Sequence, residues 1–80
     1  MAVKIVFLGP LGEMAGEPSK EVEAPLDWQG LLAVVGEEVA EQLQEKRVNI
    51  ACGGRVLADK TELQAKDGDE VALLPPVSGG

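Results

Sequence analysis

The sequence predicts an α+β domain in which a mixed sheet of about five strands packs on one main helix. Short runs of β-branched and apolar residues occur near both ends of the chain, and one long amphipathic pattern lies between them. Of the 80 residues, 45% are hydrophobic and only 2% are aromatic. This composition indicates one small domain with an aliphatic core.

Five strands are predicted from the apolar runs and from the turns that bound them. They cover residues 3–8, 20–24, 48–52, 55–57 and 70–74. Gly53 and Gly54 form a two-residue connection, which predicts a β-hairpin between the third and fourth strands. Residues 9–18, with three glycines and two prolines, predict a connecting loop with one short helical turn. Residues 58–66 predict an irregular crossing anchored by Leu63.

One helix is predicted over residues 27–46, with Asp27 as its N-cap. At about 100° per residue, its apolar side chains fall within a sector of about 120°, and its glutamates fall on the far side. The apolar side chains are Trp28, Leu31, Leu32, Val35, Val39 and Leu43. Gly30 and Gly36 each disfavour the helix by about 1 kcal/mol relative to alanine, so we expect packing against the sheet to stabilise it.

The order strand, strand, helix, hairpin, strand predicts the β-grasp arrangement, with the first and last strands as parallel central neighbours. Successive side chains of a strand point to opposite faces, so some apolar residues of these strands lie on the face away from the helix. We predict that they form a docking patch for a partner protein, because large exposed apolar clusters usually mark interaction sites. The docking patch comprises Val6, Leu8, Ala72 and Leu74 of these two strands, with Val56 of the fourth strand as a candidate neighbour.

The last six residues begin with two prolines, which end the final strand because proline cannot donate a backbone N–H to a ladder. Six extended residues reach about 20 Å, and the side-chain-free Gly79 and Gly80 can enter a narrow slot in another protein. We therefore expect a domain over residues 1–74 and a flexible diglycine tail over residues 75–80. A diglycine alone also fits an ordinary frayed terminus.

Net charge and motif spacing argue against two classes of binding site. The formal charge is −7 and the chain has no histidine, which argues against a nucleic-acid-binding face and favours a partner with a basic docking surface. The glycines of residues 9–16 lack the Gly-Lys-Ser/Thr ending of a phosphate-binding loop. No nucleotide or other bound cofactor is therefore predicted.

The single cysteine, without any histidine, predicts neither a metal site nor an activated thiol. Cys52 continues the face of Val48 and Ile50, and we expect it to be a small buried hydrophobe. No apolar run approaches the roughly 18 residues that span a membrane, and residues 3–8 are too short for a secretory signal. A cytoplasmic location is expected.

Two stretches of the chain resemble one protein family. The end of the chain combines D-G-D-E-V at residues 67–71 with P-P-V-S-G-G at residues 75–80. This combination resembles the end of the small, sulfur-carrier subunit of molybdopterin synthase, the MoaD family. The start is also similar, with V-K-I-V-F-L at residues 3–8 and then a loop that contains Leu11 and Glu13. Length and element order agree over essentially the whole chain.

The resemblance implies a ubiquitin-like β-grasp domain whose reacting group is the terminal carboxylate of Gly80. A separate, MoeB-like activating enzyme adenylates this carboxylate with ATP, and the product is converted to a thiocarboxylate. In this family the thiocarboxylate donates sulfur to cyclic pyranopterin monophosphate in the active site of a large, MoaE-like subunit. The residues that enter that site carry over to Pro75, Pro76, Val77, Ser78 and Gly79.

The resemblance also implies a heterotetramer of two carriers and two large subunits, in which the carrier is not itself an enzyme. Family interface positions carry over to Leu8, Val56 and Leu74, in agreement with the docking patch. The family often has aromatic residues near the ends of its first and last strands, where this chain has Leu8 and two leucines at 73–74. We expect the docking patch to persist, and the change from aromatic to leucine side chains to affect which partner protein binds it.

Two alternative functions fit the same sequence features. The tail chemistry is shared by sulfur carriers for thiamin synthesis or tRNA thiolation and by ubiquitin-like proteins that are conjugated to lysines. An adaptor of a different class would use only its apolar sheet face, without covalent chemistry. For such an adaptor Gly80 is dispensable.

Overall fold

Residues 2–76, which the computed structural model describes, form a five-stranded mixed sheet with short helices packed on one face. Met1 and residues 77–80 lie outside the described residues. The strands are β1 (Ala2–Phe7), β2 (Ser19–Glu23), β3 (Leu26–Asp27), β4 (Asn49–Cys52), β5 (Arg55–Val56), β6 (Gln64–Ala65) and β7 (Glu70–Leu74). The α-helices are α1 (Pro10–Ala15), α2 (Trp28–Val34) and α3 (Glu37–Leu43), and one turn of 3₁₀ helix covers Lys60–Glu62.

The main sheet has the strand order β2-β1-β7-β4-β5. β1 runs parallel to β7, with Ile5 opposite Val71, and the other neighbouring pairs are antiparallel. This topology confirms the predicted α+β class and the β-grasp arrangement, with the first and last strands as parallel central neighbours. The predicted hairpin is also confirmed, because Ala51 lies opposite Val56 across its turn.

The core lies between the helices and one face of the sheet. Ile5 of β1 and Leu73 of β7 are fully buried, and they belong to one apolar cluster with Leu31 of α2 and Leu43 of α3. Leu63, the predicted anchor of the crossing segment, is buried in the same cluster. Since side chains of a strand alternate, the central strands direct every second residue away from this core.

The helical region differs from the single helix predicted over residues 27–46. α2 ends at Val34, and α3 begins after Gly36, whose φ is 88° and ψ is 161°. Residues with a Cβ rarely adopt this conformation, so the glycine permits a break between the helices. The Lys20 ammonium donates a hydrogen bond of 3.1 Å to the carbonyl oxygen of Val34, which satisfies one backbone acceptor at the end of α2.

Elsewhere the structure agrees with the predicted cap of the helix and differs from the prediction in two local features. Asp27 caps α2 as predicted, because its carboxylate accepts a hydrogen bond of 2.8 Å from the Gly30 amide. The predicted loop over residues 9–18 contains α1, a longer helix than the single turn expected. β3 and β6 form a second, two-stranded sheet that was not predicted. This small sheet joins the start of α2 to the crossing segment.

Candidate functional site at the root of the C-terminal segment

An apolar row crosses four strands on the sheet face opposite the helices, which we call the open face. Val6 of β1 lies opposite Ala72 of β7, Ala72 lies opposite Ala51 of β4, and Ala51 lies opposite Val56 of β5. Val56 is the most accessible of them, with 56% of its surface exposed, and the other three are half-buried. Strand parity therefore predicted this face correctly, but it missed Ala51, which the strand register places in the middle of the row.

The remaining two residues of the docking patch lie at the end of the sheet from which the chain leaves β7. Leu8 follows β1 directly and is 38% exposed, and its amide donates a hydrogen bond of 3.4 Å to the Leu73 carbonyl oxygen. This bond extends the parallel pair by one residue, so Leu8 continues the alternation that puts Val6 on the open face. Leu74, the last residue of β7, is half-buried and lies opposite Asn49.

Pro75 is held at the base of the tail by the segment that precedes α1. It is half-buried, whereas Pro76 is exposed. Its ring lies so close to Gly9 that a Cβ at Gly9 would be 3.3 Å from Pro75 Cγ. Gly9 was not among the functional residues predicted from the sequence. The only feature that could have indicated it was its position directly before a helix that begins with Pro10. The structure thus connects the start of α1 to the root of the tail.

The other predicted tail residues lie outside the described part of the chain, namely Val77, Ser78, Gly79 and Gly80. Their proposed roles stay predictions. The described residues show that β7, a central strand, ends at Leu74 beside the other residues of the docking patch.

The far end of the open face is charged. Lys4 of β1 lies opposite Glu21 of β2 and Glu70 of β7, and Glu23 of β2 lies opposite Ala2. These residues share the parity of Val6 and therefore share its face. The open face is thus apolar near the tail and mainly acidic at its other end.

Cys52 has the properties of a structural thiol. It is half-buried and packs against the core, which is less burial than the sequence predicted. Burial raises the pKa of the Cys52 thiol, and the neighbouring Asp69 carboxylate raises it further by its charge and by accepting an S–H hydrogen bond of 3.9 Å. The thiol is therefore held in its protonated, less nucleophilic form.

Residues 2–76 contain no cluster of three or more histidine, cysteine, aspartate or glutamate side chains that could hold a metal ion. Among these same residues, no helix has the length and apolar character needed to cross a membrane.

The fold and its open face define a small ubiquitin-like β-grasp domain of the kind that carries sulfur or modifies other proteins. The chain belongs to the ThiS family, whose model matches residues 5–80. This match confirms the resemblance seen in the sequence, since the ThiS and MoaD proteins are alike in fold and small size. Proteins of this family are in general carriers rather than catalysts. No curated protein matches the chain.

Three solved structures illustrate the relationship. Subunit 1 of the molybdopterin-converting factor from Helicobacter pylori, solved in complex with subunit 2, is 30% identical, with all of both chains covered and a TM-score of 0.66. A putative molybdopterin converting factor subunit 1 from Pyrococcus furiosus is 28% identical, covering 96% of this chain and 99% of its own, with a TM-score of 0.69. SAMP1 from Haloferax volcanii is 26% identical, with full coverage of both chains and a TM-score of 0.72.

Proposed function

We propose that this chain is the sulfur-carrier subunit of a molybdopterin synthase and that Gly80 carries the sulfur as a thiocarboxylate. The observation that carries the proposal is the position of the docking patch at the root of a P-P-V-S-G-G segment. Similarity to a molybdopterin-converting factor subunit 1 over the full length of both chains supports this pathway. The chain acts as a donor subunit, and the catalytic side chains belong to its partner.

The proposed loading reaction requires only an accessible carboxylate from this chain. One oxygen of the Gly80 carboxylate attacks the α-phosphorus of ATP on a MoeB-like activating enzyme, and pyrophosphate leaves. Hydrosulfide then attacks the acyl carbon, AMP departs with the original oxygen, and loss of a proton leaves the thiocarboxylate. The thiocarboxylate sulfur attacks cyclic pyranopterin monophosphate, and hydrolysis of the acyl–sulfur bond leaves the sulfur on the pterin and regenerates the Gly80 carboxylate. Since ATP is consumed on the activating enzyme, the carrier itself needs no bound cofactor.

The open sheet face provides the contact that brings this group to its target. Val56 and Leu8 expose apolar surface beside half-buried Val6 and Ala72, so a partner that covers them gains hydrophobic burial. At the far end of the face, Glu21, Glu23 and Glu70 favour basic side chains on the partner, which would chiefly accelerate association. We propose a MoaE-like large subunit as this partner, in a cytoplasmic heterotetramer of two carriers and two large subunits.

A second candidate function is ubiquitin-like protein modification. It is favoured by the similarity to SAMP1, whose coverage and TM-score are at least as high as those of the two molybdopterin-converting subunits. Activation by adenylation is the same in both cases, but the acyl group of Gly80 would then pass to a lysine amine. Sulfur carriage for thiamin synthesis or tRNA thiolation is related chemistry with a different acceptor.

Intact mass spectrometry tests whether the chain carries sulfur at all. The protein is incubated with ATP, a sulfur source and an activating enzyme whose activity is verified on a known carrier. We expect a mass increase equal to the exchange of one oxygen for sulfur. A matched variant without Gly80 should keep its fold and should not gain this mass. Absence of the product from the unaltered chain, or loading of the deletion variant, would refute the carrier proposal.

The pathway is tested by presenting the loaded protein with competing acceptors. One reaction contains a molybdopterin synthase large subunit and cyclic pyranopterin monophosphate, and parallel reactions contain tRNA or thiazole precursors with their own enzymes. Conversion of the pterin precursor supports the proposal. Sulfur delivery only to another acceptor, or lysine conjugates in place of sulfur transfer, favours the corresponding alternative. An adaptor would bind partners equally well without Gly80.

A further inference from the structure

Gly9, which directly precedes α1, lies beside Pro75, the first residue after β7. A Cβ at position 9 would lie 3.3 Å from Pro75 Cγ, and such a distance is tighter than nine in ten real Cβ contacts. We propose that Gly9 is a positioning residue whose missing side chain lets the Pro75 ring lie against the backbone and so sets the direction of the chain at Pro75 and Pro76. This inference rests on the proposed function, because it concerns the delivery of Gly80.

The backbone on which Pro75 rests is itself held in place. Gly9 has a φ of 57° and ψ of −135° and directly precedes α1. α1 is packed against the end of β1, since a Cβ at Gly12 would lie 3.2 Å from the Phe7 carbonyl oxygen. The buried side chain of Leu11 anchors the same helix in the core. Gly9 therefore belongs to a segment that the packing of α1 and the burial of Leu11 place against the end of β1.

The direction of the chain at Pro75 matters because the proposed reacting group is five residues further on. β7 fixes the chain up to Leu74 through ladders on both sides, and Pro75 has no backbone N–H to extend either ladder. Contact with Gly9 is then the last described restraint before Pro76, which is exposed. Small errors in the placement of a reacting group reduce rates steeply, and about 1 Å can reduce a rate 100-fold.

The functional test compares sulfur delivery by the unaltered, Gly9→Ala and Gly36→Ala carriers over a range of large-subunit concentrations, with the pterin precursor at saturation. Both glycines precede a helix and have a positive φ outside the left-handed helical region, but nothing lies within 4 Å of a Cβ at Gly36. Gly36→Ala therefore controls for backbone strain. We expect Gly9→Ala to lower kcat about 3- to 10-fold with an unchanged KM for the large subunit, since the docking patch is intact. Gly36→Ala should change kcat less than twofold.

A double variant separates the contact from general damage to the fold. Replacing Pro75 with alanine removes the Cγ atom that a new side chain at position 9 would meet. In the Pro75→Ala background, Gly9→Ala should therefore have no further effect on kcat. An equal loss of kcat in both backgrounds, or equal losses from Gly9→Ala and Gly36→Ala, would overturn the inference.

The contact is also measured in the unloaded protein, without any sulfur chemistry. Residual dipolar couplings of the Cα–Hα bonds report the orientation of Leu74, Pro75 and Pro76. Gly9→Ala should change the couplings of both prolines and leave Leu74 as it is, and Gly36→Ala should change none of the three. Unchanged proline couplings in Gly9→Ala overturn the positioning role even if the chain carries sulfur. Failure of the unaltered chain to load sulfur, with the couplings behaving as expected, refutes the proposed function instead.

Discussion

The ammonium group of Lys60 donates a hydrogen bond of 2.9 Å to the carbonyl oxygen of Val48. It donates a second hydrogen bond to the carbonyl oxygen of Glu45. Both acceptors lie between α3 and β4, so one lysine ties the crossing segment to a turn more than ten residues away. Partial burial lowers the pKa of Lys60, and the Glu45 carboxylate opposes this shift.

Lys60→Met should lower the free energy of unfolding by about 1–2 kcal/mol, because it keeps the aliphatic stem but removes both hydrogen bonds. Urea denaturation followed by circular dichroism measures the change. Lys46→Met is the matched control, since Lys46 is exposed in the same turn, and it should change stability by less than about 0.5 kcal/mol. An equal loss in the free energy of unfolding in the two variants would show that the two Lys60 hydrogen bonds do not stabilise the fold.

Val56→Asp should weaken partner docking strongly and change the stability of the fold little. Val56 is 56% exposed, so the new carboxylate stays hydrated in the free protein but is buried unpaired against an apolar partner surface. We expect at least about a tenfold rise in Kd for the large subunit, measured by calorimetry, and a stability change within about 0.5 kcal/mol. Ala33→Asp places the same charge on an exposed position of α2, on the helical side, and should leave Kd unchanged.

Leu74→Glu tests the docking patch at the root of the tail. Leu74 is half-buried on the open face, and we expect this change to weaken docking more than it weakens the fold. The comparison needs both the Kd for the large subunit and the free energy of unfolding of each protein. Unchanged affinity in both Leu74→Glu and Val56→Asp would remove the docking patch from the proposed interface.

Gly36→Ala should destabilise the domain by about 1–3 kcal/mol, because its φ of 88° with an extended ψ is rarely open to residues with a Cβ. Gly16→Ala is the comparison, since Gly16 has the left-handed helical conformation, which alanine tolerates at about 1–2 kcal/mol. Neither substitution meets an atom within 4 Å. A smaller loss for Gly36→Ala than for Gly16→Ala would contradict this assignment of backbone strain.

The Cys52 thiol should react slowly with alkylating reagents up to pH values above the ordinary cysteine pKa of 9.0. Burial and Asp69 raise its pKa in the folded state, so Cys52 stabilises the fold below pH 9.0, and this contribution is lost as the pH rises through the raised pKa. The stability difference between the unaltered protein and Cys52→Ala should therefore shrink above pH 9.0. Asp69→Asn should shift the alkylation profile to lower pH, and an unmoved profile would exclude Asp69 as a cause.

Strand parity predicted the open face because side chains alternate between the two faces of a strand with a period of two. This alternation holds wherever one face of the sheet is buried. Val6 and Ala72 were correctly paired from their positions alone, and the register then brought Ala51 and Val56 into the same row. The Gly9–Pro75 contact was beyond such reasoning. It joins residues far apart in sequence and depends on a backbone conformation for which the sequence offers only a glycine.

The break between α2 and α3 was missed for a physical reason. Val35, Val39 and Leu43 are all buried, so the apolar pattern keeps its phase across Gly36 as if one helix continued. Both helices pack on the same sheet, and hydrophobic periodicity therefore does not reveal the break between them. The intrinsic cost of glycine was the one signal, and it gave no indication of a positive φ. β3 and β6 contain two residues each, which is too short for any periodic pattern.

β7 fills the middle of the main sheet although it is the last of the described strands to be synthesised. Its parallel partner β1 is the first of them, with Lys4 opposite Glu70, so the central pairing closes a loop that contains most of the described residues. Pairings between such distant segments slow folding. Until residues 70–74 emerge, β1 and β4 each lack a partner on one side, and the core lacks Val71 and Leu73. A nascent chain therefore cannot present a finished docking surface before translation reaches the start of the tail.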